Sequence, residues 1–327
     1  MHVCITDLLK LANAETNIWQ WYDFTQCTRV NRLKVIHCHN IGGVPTTLVK
    51  YQRRLGVDAE LIVRRRQRFA FEERQMGRLS GLLHLTGANV IHYHWTSWLE
   101  HLPGIGVRNP DARLFSALRK RLVLHYHGDD LRKHLIRNRI NADRTLVSTP
   151  DLLRYAKDAE WLPNPVDLEL FTPLGDNGGS ICKVGYFDPP GGDAYVPQRT
   201  IENAVETLQR EGMGVETAPA RSLPYEKMPE YYRTLTIWVD KLDGGFYGRM
   251  ACEAAASGKC VITSTRNVQP YIHEEPFFEY TGNLTDDIRF LLENSEERIK
   301  SAQKGRRFVQ SRHDPLQCAQ KTIDIYS

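Results

Sequence analysis

The seven cysteines, at positions 4, 27, 38, 182, 252, 260 and 318, form no CxxC pair, and an odd number cannot close into a complete disulfide framework. They read instead as small core residues of a reducing compartment. No apolar run approaches the roughly 20 residues needed to cross a bilayer. Asp7 and Lys10 interrupt the one apolar stretch near the N-terminus, so no signal-peptide organisation is read there. A cytoplasmic protein is expected, peripheral at a membrane at most. No G-x-G-x-x-G follows the first strand of either half, which argues against a nicotinamide dehydrogenase. No recognised nucleic-acid module accompanies the basic residues, so nucleic acid is not an expected partner.

What is present is length, hydrophobicity and an uneven charge. The 327 residues, 41% hydrophobic, are enough for two cores. The net charge of +4 conceals a division near residue 160. Residues 1–160 carry 25 Lys and Arg against 15 Asp and Glu, and the remainder carries 18 against 24. Clusters such as Arg64, Arg65, Arg66 and Arg68, or Arg132, Lys133, Arg137 and Arg139, would attract phosphate or anionic lipid. A solvated charged face is the alternative.

Residues 1–31 show no regular repeat and read as an N-terminal extension. From Leu33 a regular alternation begins, with apolar run 33–39, a Gly-Gly turn, a helical stretch over 45–55 and a second run over 59–63. It continues through helix 71–86, strand 89–95, helix 112–120, strand 122–127, a short helix from Asp129, strand 145–148, helix 150–157 and strand 161–166. Gly175, Asn177, Gly178 and Gly179 form a joint. The same pattern restarts with strand 181–187, helix 199–211, strand 215–219, helix 225–235, strand 236–242, helix 247–257 and strand 260–264. Such alternation predicts two parallel-sheet α/β domains, Rossmann-like, facing across a cleft: an acceptor domain over 32–165, a donor domain over 166–310, and a tail over 311–327 packing back on the first. Ligands of such sheets bind beyond the carboxyl ends of the strands.

The most informative stretch is Gly245-Phe-Tyr-Gly-Arg-Met-Ala-Cys-Glu253-Ala-Ala-Ala-Ser-Gly258. A glycine-flanked turn feeding a helix presents unpaired N–H groups and the positive end of the helix dipole, which suits a diphosphate. The dipole is worth about 0.3–1 kcal/mol, or about 2 when partly buried, so the amides of Gly245, Phe246, Tyr247 and Gly248 must share the grip. Arg249 adds a charge-assisted bond. Glu253, four residues on, is placed to accept from ribose hydroxyls. A solvated i, i+4 pair with Arg249 is the competing reading, and the small residues 254–256 and 258 count against it.

With Leu162-Pro-Asn-Pro-Val-Asp167 followed by Phe171, and Met228-Pro-Glu-Tyr-Tyr232, these residues resemble the retaining glycosyltransferases of family 4 and their GT-B relatives. The resemblance spans roughly residues 33–327. It implies transfer of a sugar from a nucleoside diphosphate to an acceptor hydroxyl with retention and without a metal. It implies donor phosphates near the Gly42-Gly43 loop, and it gives His127, in His125-Tyr-His-Gly-Asp129, the histidine that contacts the donor sugar. The family's first glutamate, eight positions before the second, falls on Gly245. Asp243 is the nearby carboxylate that could replace it, and Asp240-Lys-Leu-Asp-Gly-Gly-Phe-Tyr-Gly248 resembles a divergent branch in which this glycine is usual. The branch's phosphate-binding K-G-T reads Gln198-Arg199-Thr200 here, which makes Arg199 the cation, one residue out of register. Lys183 is a weaker candidate inside a strand.

His92, His94 and His125 at the strand ends lack an acidic companion at ligand spacing, so no metal is expected. The nucleotide sugar is then a co-substrate, with no cofactor. The basic first half predicts an anionic acceptor, such as a lipid-linked glycan at a membrane surface. A non-catalytic nucleotide-sugar-binding protein and a sugar-nucleotide epimerase are the competing functions.

Overall fold

The computed structural model describes residues 33–66, 73–101, 106–133, 140–173, 181–189, 196, 198–221 and 223–327. The extension over 1–31, the joint at 175–179, Arg68, Arg137 and Arg139 lie outside them.

The first domain is a seven-stranded sheet of order β3-β2-β1-β4-β5-β6-β7, every pairing parallel. Its strands are β1 (Lys34–Cys38), β2 (Asp58–Val63), β3 (Arg74–Gln75), β4 (Val90–His94), β5 (Arg121–Tyr126), β6 (Arg144–Val147) and β7 (Glu160–Trp161). Helices α1 (Val44–Arg54), α2 (Arg78–Leu85), α3 (Pro110–Ala117) and the single turn α4 (Asp129–Arg132) connect them. Alternate strand residues point to opposite faces, and both faces are apolar. Ile36, Ile91, Leu122 and Leu124 pack with Trp98 and Phe115 on one. Val35, Val90, Val123 and Leu146 pack with Leu48 and Val49 on the other.

The second domain has β8 (Cys182–Phe187), α5 (Gln198–Arg210), β9 (Val215–Ala220), α6 (Met228–Thr234), β10 (Ile237–Val239), α7 (Arg249–Ala256), β11 (Cys260–Thr263), α8 (Gln269–Ile272) and β12 (Phe278–Glu279). The parallel order is β12-β11-β10-β8-β9. Three more helices follow, α9 (Leu284–Glu293), α10 (Ser295–Arg312) and α11 (Pro315–Tyr326). α11 leaves this domain and packs against α1, placing Cys318, Ile323 and Tyr326 in the first domain's core.

Several sequence-derived elements shrink for local reasons. The strand expected over 161–166 stops at Trp161, because Pro163 and Pro165 carry no N–H for the ladder. The helix expected over 71–86 begins at Arg78 after an extended Gly77, and Arg74–Gln75 pair with β2 as an edge strand. The helix expected over 150–157 is a 3-10 turn, Pro150–Arg154. Among the described residues no helix is long and apolar enough to cross a membrane, and all five described cysteines are buried and free.

Candidate active site at the domain cleft

In each sheet the order reverses once, between β1 and β4 in the first and between β8 and β10 in the second. The space beyond the carboxyl ends at such a reversal is where open α/β sheets hold ligands. β1 leads there into Gly42 and Gly43, both with left-handed backbones (φ 57° and 75°), a region only glycine enters at no cost. Gly43 stands at the start of α1 and donates its N–H to Asn40 Oδ1 at 3.1 Å.

β10 leads into the turn before α7. Gly248 caps that helix and donates its N–H to the buried Asp240 carboxylate at 2.6 Å. The amides of Arg249, Met250 and Ala251 follow in the first turn, where helix geometry supplies no intrahelical acceptor. The Arg249 guanidinium crosses to the first domain, donating to the Gly42 carbonyl and, at 3.2 Å, to Thr47 Oγ1. Within its own domain it donates to Tyr225 Oη at 2.5 Å and lies over that ring.

Arg249 Nε is 2.9 Å from Glu253 Oε1, close but out of line for a hydrogen bond, and both side chains are nearly sealed from solvent at 10% and 4% exposure. The i, i+4 pair therefore exists, but not on a solvated face. Tyr232 Oη donates to the other carboxylate oxygen at 3.3 Å. Burial pushes the Glu253 carboxyl above its ordinary range, against the opposing pull of Arg249.

His127 sits half-buried past the end of β5. Its backbone N–H and that of Gly128 are held by Asp130 at 2.8 and 2.6 Å. Its ring closes a buried chain. Gln52 Nε2 donates to Thr322 Oγ1 and Tyr326 Oη at 2.8 and 3.1 Å, so its Oε1 accepts from His37 Nε2 at 2.9 Å. His37 Nδ1 then accepts from His94 Nε2 at 2.9 Å, and His94 Nδ1 from His127 Nε2 at 2.9 Å. The partners fix each tautomer in turn and leave His127 Nδ1 as an acceptor. Burial, reinforced by nearby Arg249, pulls the His127 imidazole down to about 3, so it is neutral.

The remaining predicted residues separate. Gly245 has a left-handed backbone (φ 65°), and a Cβ there would lie 2.5 Å from Asn267 Nδ2, which is itself tied to the Gly244 carbonyl at 3.0 Å. A side chain there is strained and must displace Asn267, so a glutamate is disfavoured at this position. Asp243 is exposed on the same turn, where it adds to burial in pushing the Tyr280 phenol up, and is not brought to the Arg249 and Glu253 pair. Phe246 is buried beneath the Arg132 guanidinium of the first domain, 3.6 Å from its ring centre. Tyr247 is packed into the second domain's core, its hydroxyl 3.2 Å from His313 Nε2, so only its backbone is available to the cleft. Arg199 is exposed in the first turn of α5, and Lys183 is ion-paired with Glu216 on the sheet. Of the basic clusters, Arg132 is spent on buried Asp151 at 2.8 Å and Lys133 is paired with Asp129, while Arg65 and Arg66 are exposed.

Sequence reasoning missed Asp240, Tyr225 and Thr47, which hold the helix cap and Arg249. Asp240, eight residues before Gly248, is visible as the cap's acceptor only once the turn's path is known.

Residues 202–324 match the family described as glycosyl transferase-like. No curated protein matches the sequence. Among solved structures the chain is similar to Anabaena HepE, solved in complex with UDP and glucose, with 12% identity and a TM-score of 0.60 over 90% of this chain and 99% of that one. It is also similar to the catalytic domain of starch synthase IV from Arabidopsis thaliana, bound to ADP and acarbose, with 11% identity and a TM-score of 0.58 over 90% and 98%. A third likeness is to a UDP-GlcNAc 2-epimerase from Neisseria meningitidis, bound to UDP-GlcNAc, with 10% identity and a TM-score of 0.51 over 89% and 98%. At these identities the likeness is one of fold, and that fold is GT-B.

Proposed function

We propose that the protein is a glycosyltransferase that moves a sugar from a nucleoside diphosphate to an acceptor hydroxyl, with retention of configuration. One observation carries the reading: the first turn of α7 and the Arg249 guanidinium arrive at the Gly42-Gly43 loop across the carboxyl edges of both sheets. Charge gathers on the departing diphosphate, and preorganised amides and a guanidinium in a dry cleft are the groups that stabilise it. The donor's C1–O bond to phosphate breaks while the acceptor oxygen bonds to C1 on the same face. The acceptor's proton passes to the leaving phosphate oxygen, so no protein nucleophile is required. His127 Nδ1, as a neutral acceptor, orients a sugar hydroxyl, and Glu253 takes the ribose. In this reading no metal ion touches the diphosphate, because Arg249 and the helix tip do that work. The acceptor lies on the first domain near Arg65 and Arg66, which favours an anionic glycan, a lipid-linked one included.

The non-catalytic reading draws on Gly245, where the family's carboxylate is absent and a side chain would clash with Asn267. Purified protein incubated with a panel of nucleotide sugars separates the two. Release of nucleoside diphosphate that is lost in Glu253→Gln, with folding checked, supports the transferase. Donor binding without turnover against any acceptor supports the non-catalytic protein, and conversion of the sugar without an acceptor supports an epimerase.

A further inference from the structure

Sugar transfer uses His127 alone, yet five histidines line one face of the first sheet at its carboxyl edge. Register places His37 beside His92 on β1 and β4, and His94 beside His125 on β4 and β5. Positions two apart share a face, so His37, His92, His94, His125 and His127 form one packed group of rings. Ring centres lie 4.3 Å apart for His92 and His94, 4.7 Å for His37 and His92, and 5.3 Å for His94 and His125. His37, His92, His94 and His125 are completely buried. Four imidazoles are an expensive way to fill a core: a buried polar nitrogen without a partner costs about 1–3 kcal/mol. His92 Nε2 and both nitrogens of His125 are such atoms.

We propose that His37, His92 and His94 bind one divalent transition-metal ion of the kind imidazole prefers, zinc first, through His37 Nδ1, His92 Nε2 and His94 Nε2. One nitrogen from each of the three rings lies within 4.8 Å of the others. The opposite nitrogen of every ring already has a holder, which is how ligating histidines are fixed in orientation and tautomer. Gln52 Oε1 holds His37 Nε2 at 2.9 Å, Tyr326 Oη holds His92 Nδ1 at 2.6 Å, and His127 holds His94 Nδ1 at 2.9 Å. Gln52 and Tyr326 are themselves joined at 3.1 Å. An all-nitrogen set without carboxylates suits zinc, copper, nickel or cobalt and disfavours magnesium and calcium. His125 packs beside His92 and His94 with both nitrogens unpartnered, outside the convergent trio, so the fourth position is left to an exogenous ligand.

Binding conserves protons. The His94 proton moves from Nε2 to Nδ1 and the His127 proton from Nε2 to Nδ1, each ring remaining neutral. His127 Nδ1 thereby changes from acceptor to donor when the metal is in place. Apart from His127, which both share, the site uses none of the residues assigned to the donor, and it does not rest on the transferase reading.

The test is metal uptake by the full chain after stripping with chelator. Wild type is expected to take one equivalent of Co²⁺ with the intense visible bands of a four-coordinate site, and to exchange it for Zn²⁺ but not Mg²⁺. His37→Asn and His92→Asn abolish uptake, whereas His273→Asn, an exposed histidine elsewhere, does not. Tyr326→Phe keeps the ring and weakens binding on the order of 10-fold. Absence of stoichiometric binding by wild type, or undiminished binding by a folded His92→Asn, overturns the proposal. Should the histidine variants not fold, the wild-type stoichiometry and unchanged affinity in Tyr326→Phe decide it.

Discussion

Arg249 of the second domain donates to the backbone carbonyl of Gly42 in the first, so the cation assigned to the diphosphate also spans the gap between the sheets. A hydrogen bond to a charged group is worth about 1.5–3 kcal/mol. Arg249→Ala should therefore lower kcat/KM for the donor by roughly ten- to a hundredfold. Arg249→Lys should recover little, since the planar fork that reaches Gly42, Thr47 and Tyr225 together is lost. Steady-state release of nucleoside diphosphate measures both, and a rate unchanged in Arg249→Ala removes the residue from the site.

Glu253→Ala leaves the Arg249 guanidinium buried without its carboxylate. Breaking one side of a buried pair costs about 3–5 kcal/mol, and the other Arg249 partners keep the expected loss near the low end. Urea unfolding of this variant beside Glu253→Gln, which retains an acceptor oxygen, reads the difference. Equal stability of the alanine variant and wild type means the pair contributes nothing.

Restoring the family's glutamate by Gly245→Glu should harm rather than help. The left-handed backbone and the clash with Asn267 predict a loss of about 1–3 kcal/mol with no gain in turnover. Differential scanning calorimetry and the donor assay test this together. A variant as stable as wild type and more active shows that the turn rearranges and that the missing carboxylate limits catalysis.

Buried His313 donates Nδ1–H to the Asn164 carbonyl at 2.8 Å and faces Tyr247. Burial, with Arg312 alongside, pulls its imidazole down to about 4 from an ordinary 6.5. Unfolded chains bind the proton first, so its contribution is complete above 6.5 and is lost as pH falls towards 4, a change of about 3 kcal/mol. Other buried histidines act with the same sign. The measurement is therefore the gap in unfolding free energy between wild type and His313→Gln at neutral pH and near pH 4. It should narrow on acidification, and a constant gap refutes the assignment.

The alternation of apolar runs made the two parallel sheets legible, because strands buried on both faces leave nearly unbroken hydrophobic stretches such as Lys34–Cys38 and Val90–His94. The turn before α7 was legible as a glycine-rich segment opening a helix. Asp240, Tyr225 and Thr47 were not, since each acts through a backbone path or a partner in another element. His92, His94 and His125 were visible as strand-end residues, but Gln52, which holds His37, and Tyr326, 234 residues beyond His92, which holds that ring, reach the histidines only after folding. Tyr247 failed in the opposite direction: it lies in the motif, yet its ring belongs to the core around Phe277 and Phe308.

The chain passes between the two bodies twice, near Asn164 on the way out and near His313 on the way back, and the passes are stitched together where Val166 N–H meets the His313 carbonyl at 3.0 Å and His313 meets Asn164. A single tether would let the halves swivel freely, whereas two tethers clamped at one spot act as a hinge with one easy axis. Any opening about that spot would swing Arg249 away from Gly42 along one arc, and reclosing would return it to the same carbonyl.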